Sequence, residues 1–234
     1  MRKMLTGIAL LLLTAGQAQA DYQCKVNPQD DVVITPAQVQ VVGASGNVLI
    51  SPTGEIQRNG KAVIADSTTQ KMAVDYQNAL RRDLPWIDSG AQQRLEQARA
   101  AVDKVVVDKL GAESHVRQRL TTLDEQLKQQ MNRIIEHRSD GLAFHHQAIA
   151  EVRQDGKKLV QNAMGGMLQD SLNDIGNNSN NPLQALMGNL GGLQQAMKTE
   201  LRKQEQDFRK FGNDVCQRVT HLESQRQALV ARFP

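Results

Sequence analysis

At Ser67 the apolar residues of this chain change period, so one class of element cannot serve both sides of that point. Upstream they alternate or come in short β-branched runs. Tyr22, Cys24 and Val26 alternate with polar residues, as do Val39 and Val41, and further runs fall at 32–34, 48–50 and 62–64. Side chains alternate faces along a strand, so this is the pattern of a sheet with one buried face. Downstream the spacing becomes three and four, as in Met72, Tyr76, Leu80 and Leu84, which puts one stripe along a helix. The expected fold class is α+β: a small N-terminal antiparallel β-meander over 21–66, packed on a bundle of long helices.

Turn and cap chemistry divides the two parts. Ser45-Gly46 and Pro52-Thr53-Gly54 are loop signals, and Asn59-Gly60 suits a type I′ hairpin because both residues tolerate positive φ. Ser67-Thr68-Thr69-Gln70 fits a capping box opening a helical region over 67–176. Pro85 is expected to interrupt the first helix, Ser89 with Gln92 to cap a second, and Gly111 to end it. Val116, Leu120, Leu123, Leu127, Met131 and Ile134 make a third helix, and Ser139-Asp140-Gly141 turns the chain. Ile149, Val152, Leu159, Ala163 and Met167 carry a fourth. An Asn- and Gly-rich stretch over 177–192 is expected to be a flexible connection. A long C-terminal helix over 193–234 carries Leu201, Phe208, Val215, Leu222 and Leu229 at seven-residue intervals, a coiled-coil-like stripe.

Residues 1–20 have the layout of a secretory signal peptide: Arg2 and Lys3, an apolar run over 4–13, and Ala18-Gln19-Ala20 before a mature start at Asp21. The run is too short to span a bilayer, and no Cys follows the cleavage site. The expectation is a soluble protein exported to the periplasm, with no transmembrane segment in its mature form. Loss of Arg2 and Lys3 takes the 28 basic residues to 26, against 25 acidic ones. That balance argues against a nucleic-acid partner, which needs concentrated positive charge. Cys24 and Cys216 meet an oxidising compartment and are expected to form a disulfide that closes nearly the whole mature chain. A redox pair and an intermolecular bond are the alternatives; no Cys-x-x-Cys motif supports the first.

Signatures of catalysis are thin. Gly43-Ala44-Ser45-Gly46-Asn47 departs from the Gly-x-Ser-x-Gly elbow at its last position, and no Walker or Rossmann glycine pattern occurs. No two of His115, His137, His145, His146 and His221 stand four apart, so no metal ligands are assigned and no cofactor is expected; these histidines are expected to be exposed or capping. Asp103, Glu125 and Glu136 belong to charged helix faces, although a distant pair of carboxylates converging in space would be invisible to spacing. Two apolar patches rich in glycine and methionine, 163–168 and 186–193, stand out. Methionine suits adaptable binding surfaces. Met164, Met167, Met187, Leu190 and Leu193 are therefore the candidate partner-binding residues, with tight helix packing as the alternative reading.

Several segments are familiar together: Asp21-Tyr22-Gln23-Cys24, Leu84-Pro85-Trp86-Ile87-Asp88, Gln130-Met131-Asn132-Arg133-Ile134-Ile135-Glu136, Arg138-Ser139-Asp140-Gly141-Leu142, Ala163-Met164-Gly165-Gly166 and Phe211-Gly212-x-Asp214-Val215-Cys216. Through them the chain resembles the YggN-type periplasmic proteins of enteric bacteria over almost its whole mature length. The resemblance implies a periplasmic location and a domain of unknown function, and brings no catalytic residues with it. The function expected is a non-enzymatic envelope protein that binds protein or lipophilic clients through apolar helix surface. An enzyme with a site assembled from distant polar residues, and a small-ligand carrier with an apolar cavity, are the alternatives.

Overall fold

The computed structural model describes residues 24, 26–177 and 182–233, without the side chains of 175–177, 182–191 and 194. The expected signal peptide lies outside them. Five strands come first: β1 Asp30–Ile34, β2 Val39–Gly43, β3 Gly46–Ile50, β4 Ile56–Arg58 and β5 Lys61–Ala62. Each pairs antiparallel with the next, which is the meander the alternation implies. Asn59 at φ 52° and Gly60 at φ 78° make the tight β4–β5 turn. Val32, Ile34, Val39, Val41, Val48, Ile50 and Ile56 are all buried. The register sets Val32 opposite Val41 and Ile34 opposite Val39, so β-branched side chains pack across the strands on one face.

Two further strands, β6 Ile135–Arg138 and β7 Gly141–Phe144, lie inside the expected helical region, on either side of the turn expected at Ser139-Asp140-Gly141. The strand order is β5-β4-β3-β2-β1-β7-β6, with β7 antiparallel to β1. The expected helical region over 67–176 is corrected accordingly. Without β7, β1 would present a row of unpaired backbone groups, and the hairpin adds buried Ile135, Leu142 and Ala143. Gly141 permits the approach, because a Cβ there would lie 1.9 Å from the Ile34 carbonyl oxygen. Spacing conceals the change, since Met131, Ile134 and Ile135 continue a helical period into the strand.

The helices are α1 Ser67–Leu110, α2 His115–Ile134, α3 Ala148–Asn177 and α4 Pro182–Val230. Asp66 caps α1, accepting a 2.7 Å bond from the Thr69 amide, one residue ahead of the expected capping box. α1 then runs 44 residues straight through Pro85. A proline inside a helix costs about 3 kcal/mol through a lost bond and a ring clash. Here Pro85 is exposed while Asp83, Leu84 and Asp88 on either side are buried, so packing holds both halves in one helix. Gly111 ends α1, its amide bonded to the Val107 carbonyl at 3.0 Å. α4 begins at Pro182, a favoured first helical residue. Its backbone is helical over 182–192, where the sequence suggests a connection; residues 178–181 lie outside the described set.

α1 and α4 pack along each other, and α2 packs on α3. Two cores result. In the first, the buried sheet face meets Ala73, Tyr76, Ala79, Leu80 and Leu84 of α1 with Leu222 and Leu229 of α4. The second joins Val102 and Val106 of α1, Val116 and Leu120 of α2, and Ala163 and Met167 of α3, with Met197 of α4 against them. The seven-residue stripe is core only towards its end: Leu222 and Leu229 are buried, whereas Leu201 and Phe208 are 44% and 40% exposed.

Between the cores an aromatic and ionic seam fastens α1 to α4. Buried Asp83 pairs with Arg82 and Arg218. The Arg218 guanidinium lies 3.9 Å over the Trp86 ring, Trp86 meets Phe211 at 5.3 Å between centroids, and Arg94 covers Phe211 at 4.0 Å. Arg94 also reaches Asp207 at 3.0 Å.

Candidate functional site

A pocket of about 600 Å³ opens between the sheet, α1 and the C-terminal half of α4. Helical spacing builds most of its wall. Tyr76, Leu80 and Leu84 stand four apart on α1, and Val215, Val219, Leu222 and Arg226 stand at steps of four, three and four on α4. β1 supplies Val32, the β6–β7 hairpin supplies Ile135 and Phe144, and the start of α3 supplies Ile149 and Arg153. The remaining wall is an irregular strap that precedes β1: Cys24 and Val26, Asn27, Pro28 and Gln29. Most of the lining is apolar, which favours a lipophilic occupant.

One polar cluster interrupts that lining. Asp30 is 4% exposed and accepts bonds from the Ser45 amide at 2.8 Å and the Ser45 hydroxyl at 2.9 Å. Arg226 donates to the Ser45 hydroxyl at 2.7 Å, stands 3.3 Å from Asp30 Oδ2, and donates through Nε and Nη2 to both oxygens of Glu223 at 2.7 and 2.6 Å. This two-pronged pairing is the strong form of an Arg–carboxylate contact. It holds the Glu223 carboxyl below its usual range although burial opposes it, and holds Arg226 protonated. Tyr76 lines the pocket beside these groups, and burial pushes its phenol pKa up, so it stays neutral. Asp30, Glu223 and Arg226 are thus committed to one another, and the chemistry on offer is shape and apolar contact with one polar wall.

The sequence candidates fall elsewhere, apart from Cys24. Cys24 and Cys216 are bonded, with Cα atoms 5.5 Å apart, and the bond ties the strap to α4. Met164 is exposed on α3, in a row with Val160, Leu168 and Leu172 at steps of four. Met167 is buried in the second core and Leu193 is 4% exposed. Met187 and Leu190 lie on α4 with side chains outside the described set. Spacing could have suggested Glu223 and Arg226, an i,i+3 pair of opposite charge. Nothing local announces that Asp30 joins them.

Four histidines pair with carboxylates from other elements. His115 Nδ1 stands 2.6 Å from Asp174, His137 Nε2 stands 2.8 Å from Asp88, and His145 and His146 share Asp31 at 3.4 and 2.6 Å. Asp174 also accepts from the Ser114 hydroxyl and the His115 amide, so α3 caps the start of α2. Among the described residues no three His, Cys, Asp or Glu side chains are grouped to hold a metal ion. Among them, too, no helix is long and apolar enough to cross a membrane.

Comparison with known proteins finds a family described as protein of unknown function (DUF2884), which matches residues 24–234. An uncharacterised protein of Escherichia coli K12, YggN, is 54% identical over 238 aligned residues that cover 100% of this chain and 99% of the relative. Its counterpart in Escherichia coli O157:H7 shows the same identity and coverage. No solved structure matches the chain.

Proposed function

Starting from a chain that belongs to the DUF2884 family of unknown function, we propose a non-enzymatic, exported binding protein that carries a lipophilic small molecule. The observation that carries this reading is the pocket of about 600 Å³ with its mainly apolar wall, a size within the range of roughly 300–1,000 Å³ usual for small-molecule sites. The polar groups beside it are tied into ion pairs rather than left as a free acid or base, which favours holding a molecule over transforming one. The leader-like residues 1–20 and the disulfide both support a periplasmic location.

The test is recovery of the cargo. The chain is expressed with its first 20 residues, purified from the periplasm without denaturant, and extracted with organic solvent for mass spectrometry. Lipophilic material in near-stoichiometric amount is the expected result, on a polypeptide whose N-terminus is Asp21. Protein that is empty, and that also binds no lipophilic probe, would remove the reading.

A second reading has its own support. Val160, Met164, Leu168 and Leu172 form an exposed apolar row on α3, suited to a protein or lipophilic client taken on the helix surface. Cross-linking from Met164, replaced by a photoreactive methionine analogue, separates the two: clients trapped there favour the surface, and no trapping favours the pocket.

A further inference from the structure

Tyr76 carries a polar group that the first core does not use. The residue is 4% exposed and belongs to that core with Ala73, Leu80 and Leu84, where a phenylalanine would fill nearly the same space. A buried phenol hydroxyl ordinarily finds a hydrogen-bond partner, because stripping it of water without one is costly. Among the described residues nothing bonds to the Tyr76 hydroxyl. Nor is it one of the polar atoms walled in without a partner. It therefore opens on the pocket that Tyr76 lines. The charges that act on it are Asp30, Arg226 and Glu223. Two carboxylates against one guanidinium leave this wall net negative, which repels an anionic head group. Each carboxylate oxygen already accepts a bond: those of Asp30 from Ser45, and those of Glu223 from Arg226, with Gln227 adding a 2.7 Å bond. An ammonium head would have to compete with these donors. Arg153, the remaining charged side chain of the described lining, is exposed on α3, where water competes for an anion.

We propose that the Tyr76 hydroxyl is the polar anchor of the pocket, and that the ligand is an uncharged lipophilic molecule presenting one acceptor oxygen, a hydroxyl or a carbonyl, to it. This names the ligand class of the pocket and rests on the reading of that pocket as a binding site. The phenol keeps its proton, since burial pushes its pKa up, and so it is a donor to such an oxygen. The alternative, that pocket water alone serves the hydroxyl, predicts that removing the hydroxyl leaves ligand affinity unchanged.

The experiment is displacement of N-phenyl-1-naphthylamine, a fluorescent lipophilic probe without oxygen, from protein stripped of any cargo. The competing ligands share one straight alkyl chain and differ in the head group: 1-decanol, decanoate and decylammonium, each kept below micelle formation. The parent is compared with Tyr76→Phe, and the fold of each is checked by far-UV circular dichroism. The variant is expected to take up the probe as the parent does and to bind 1-decanol about three- to tenfold more weakly, the worth of one hydrogen bond. On the parent, 1-decanol is expected to bind at least about tenfold more tightly than either charged ligand. Equal decanol affinities for folded parent and variant would overturn the anchor and leave the pocket standing. Decanoate or decylammonium binding the parent as tightly as 1-decanol would overturn the ligand class. A parent that takes up no probe would overturn the pocket reading itself, and the proposal with it. Should Tyr76→Phe not fold, the order of these ligands on the parent decides the proposal.

Discussion

Arg226 sits off the seven-residue stripe of α4, where an arginine is ordinarily solvated, yet only 14% of its side chain is exposed and it is engaged with Asp30, Ser45 and Glu223. Its loss would strand two carboxylates in a mainly apolar wall. Removing one partner of such a cluster costs about 3–5 kcal/mol, because the remaining charge is left unbalanced. Arg226→Ala is therefore expected to lower stability in urea as much as Leu222→Ala, for which about 2–5 kcal/mol is expected from the cavity it leaves. A loss below about 0.5 kcal/mol for Arg226→Ala, the level of an ordinary surface change, would show that water takes over its role. His115 and Asp174 make a prediction with a sign. The bond to Asp174 raises the His115 pKa; burial acts to raise Asp174 as well, but the bonds from His115 and Ser114 outweigh it and lower that carboxyl. The imidazole contribution is complete below the unfolded value of about 6.5 and is lost as pH rises through the higher folded value. The carboxylate contribution is present above about pH 4 and is lost as pH falls through the lower folded value. His115→Gln should thus lower the thermal midpoint most between about pH 4 and 6.5, and the gap from the parent should close at alkaline pH. A gap of constant size from pH 5 to 9 would mean that packing, not charge, joins these residues.

At the scale of elements, helix-to-helix contact depends on one missing side chain. Gly90 lies in α1 where the Phe211 ring crosses, and a Cβ there would come within 2.5 Å of Phe211 Cε2. Alanine is the better helix former by about 1 kcal/mol, so a net loss on Gly90→Ala must come from the seam. We expect a loss of about 1–3 kcal/mol from overpacking, together with a shifted Trp86 emission as the Trp86–Phe211–Arg94 stack is displaced. A stabilised variant with unchanged fluorescence would show that the ring moves aside freely. Much of this level was legible in the residues. The alternation of Val39 and Val41 and the apolar runs at 32–34 and 48–50 gave away β1 to β3, Asn59-Gly60 the β4–β5 turn, and Gly111 the end of α1. The misses share a cause, which is tertiary contact overriding a local signal. Pro85 is a strong breaker, but buried neighbours on both sides keep the helix whole. The β6–β7 hairpin exists because β1 needs an edge partner, a demand that residues 135–144 do not advertise. Leu183, Leu186, Leu190 and Leu193 do carry helical spacing through the Gly-rich stretch, and weighting glycine above that spacing put the start of α4 too late.

The whole molecule hangs on α1 and α4, since each contributes to both cores. Such shared struts should couple the two ends. Met167→Ala in the second core and Leu222→Ala in the first are expected to lower one common unfolding transition, followed by Trp86 fluorescence and by circular dichroism; two separated transitions would mean that the cores melt apart. The candidate site was legible only in pieces. Tyr76, Leu80 and Leu84 could be read as one stripe, and the pairing of Cys24 with Cys216 was expected from a count of two and an expected oxidising compartment. That Asp30 meets Arg226 could not be read, because no local rule links residues at opposite ends of a chain. The cover of the one buried sheet face by both α1 and α4 has a further consequence in time. The strands of the meander come from residues 30–62, but Leu222 and Leu229, which help to roof them, arrive almost last. A chain fed through a translocation channel from its N-terminus would hold an apolar sheet face incompletely covered for nearly the whole crossing, and Cys24 would wait as long for its partner. On the proposed export route, chains stopped at residue 216 should then be short-lived in pulse-chase experiments even though they retain every described strand and both cysteines, and the protein in transit should depend on escorts that shield apolar surface until its final turns emerge.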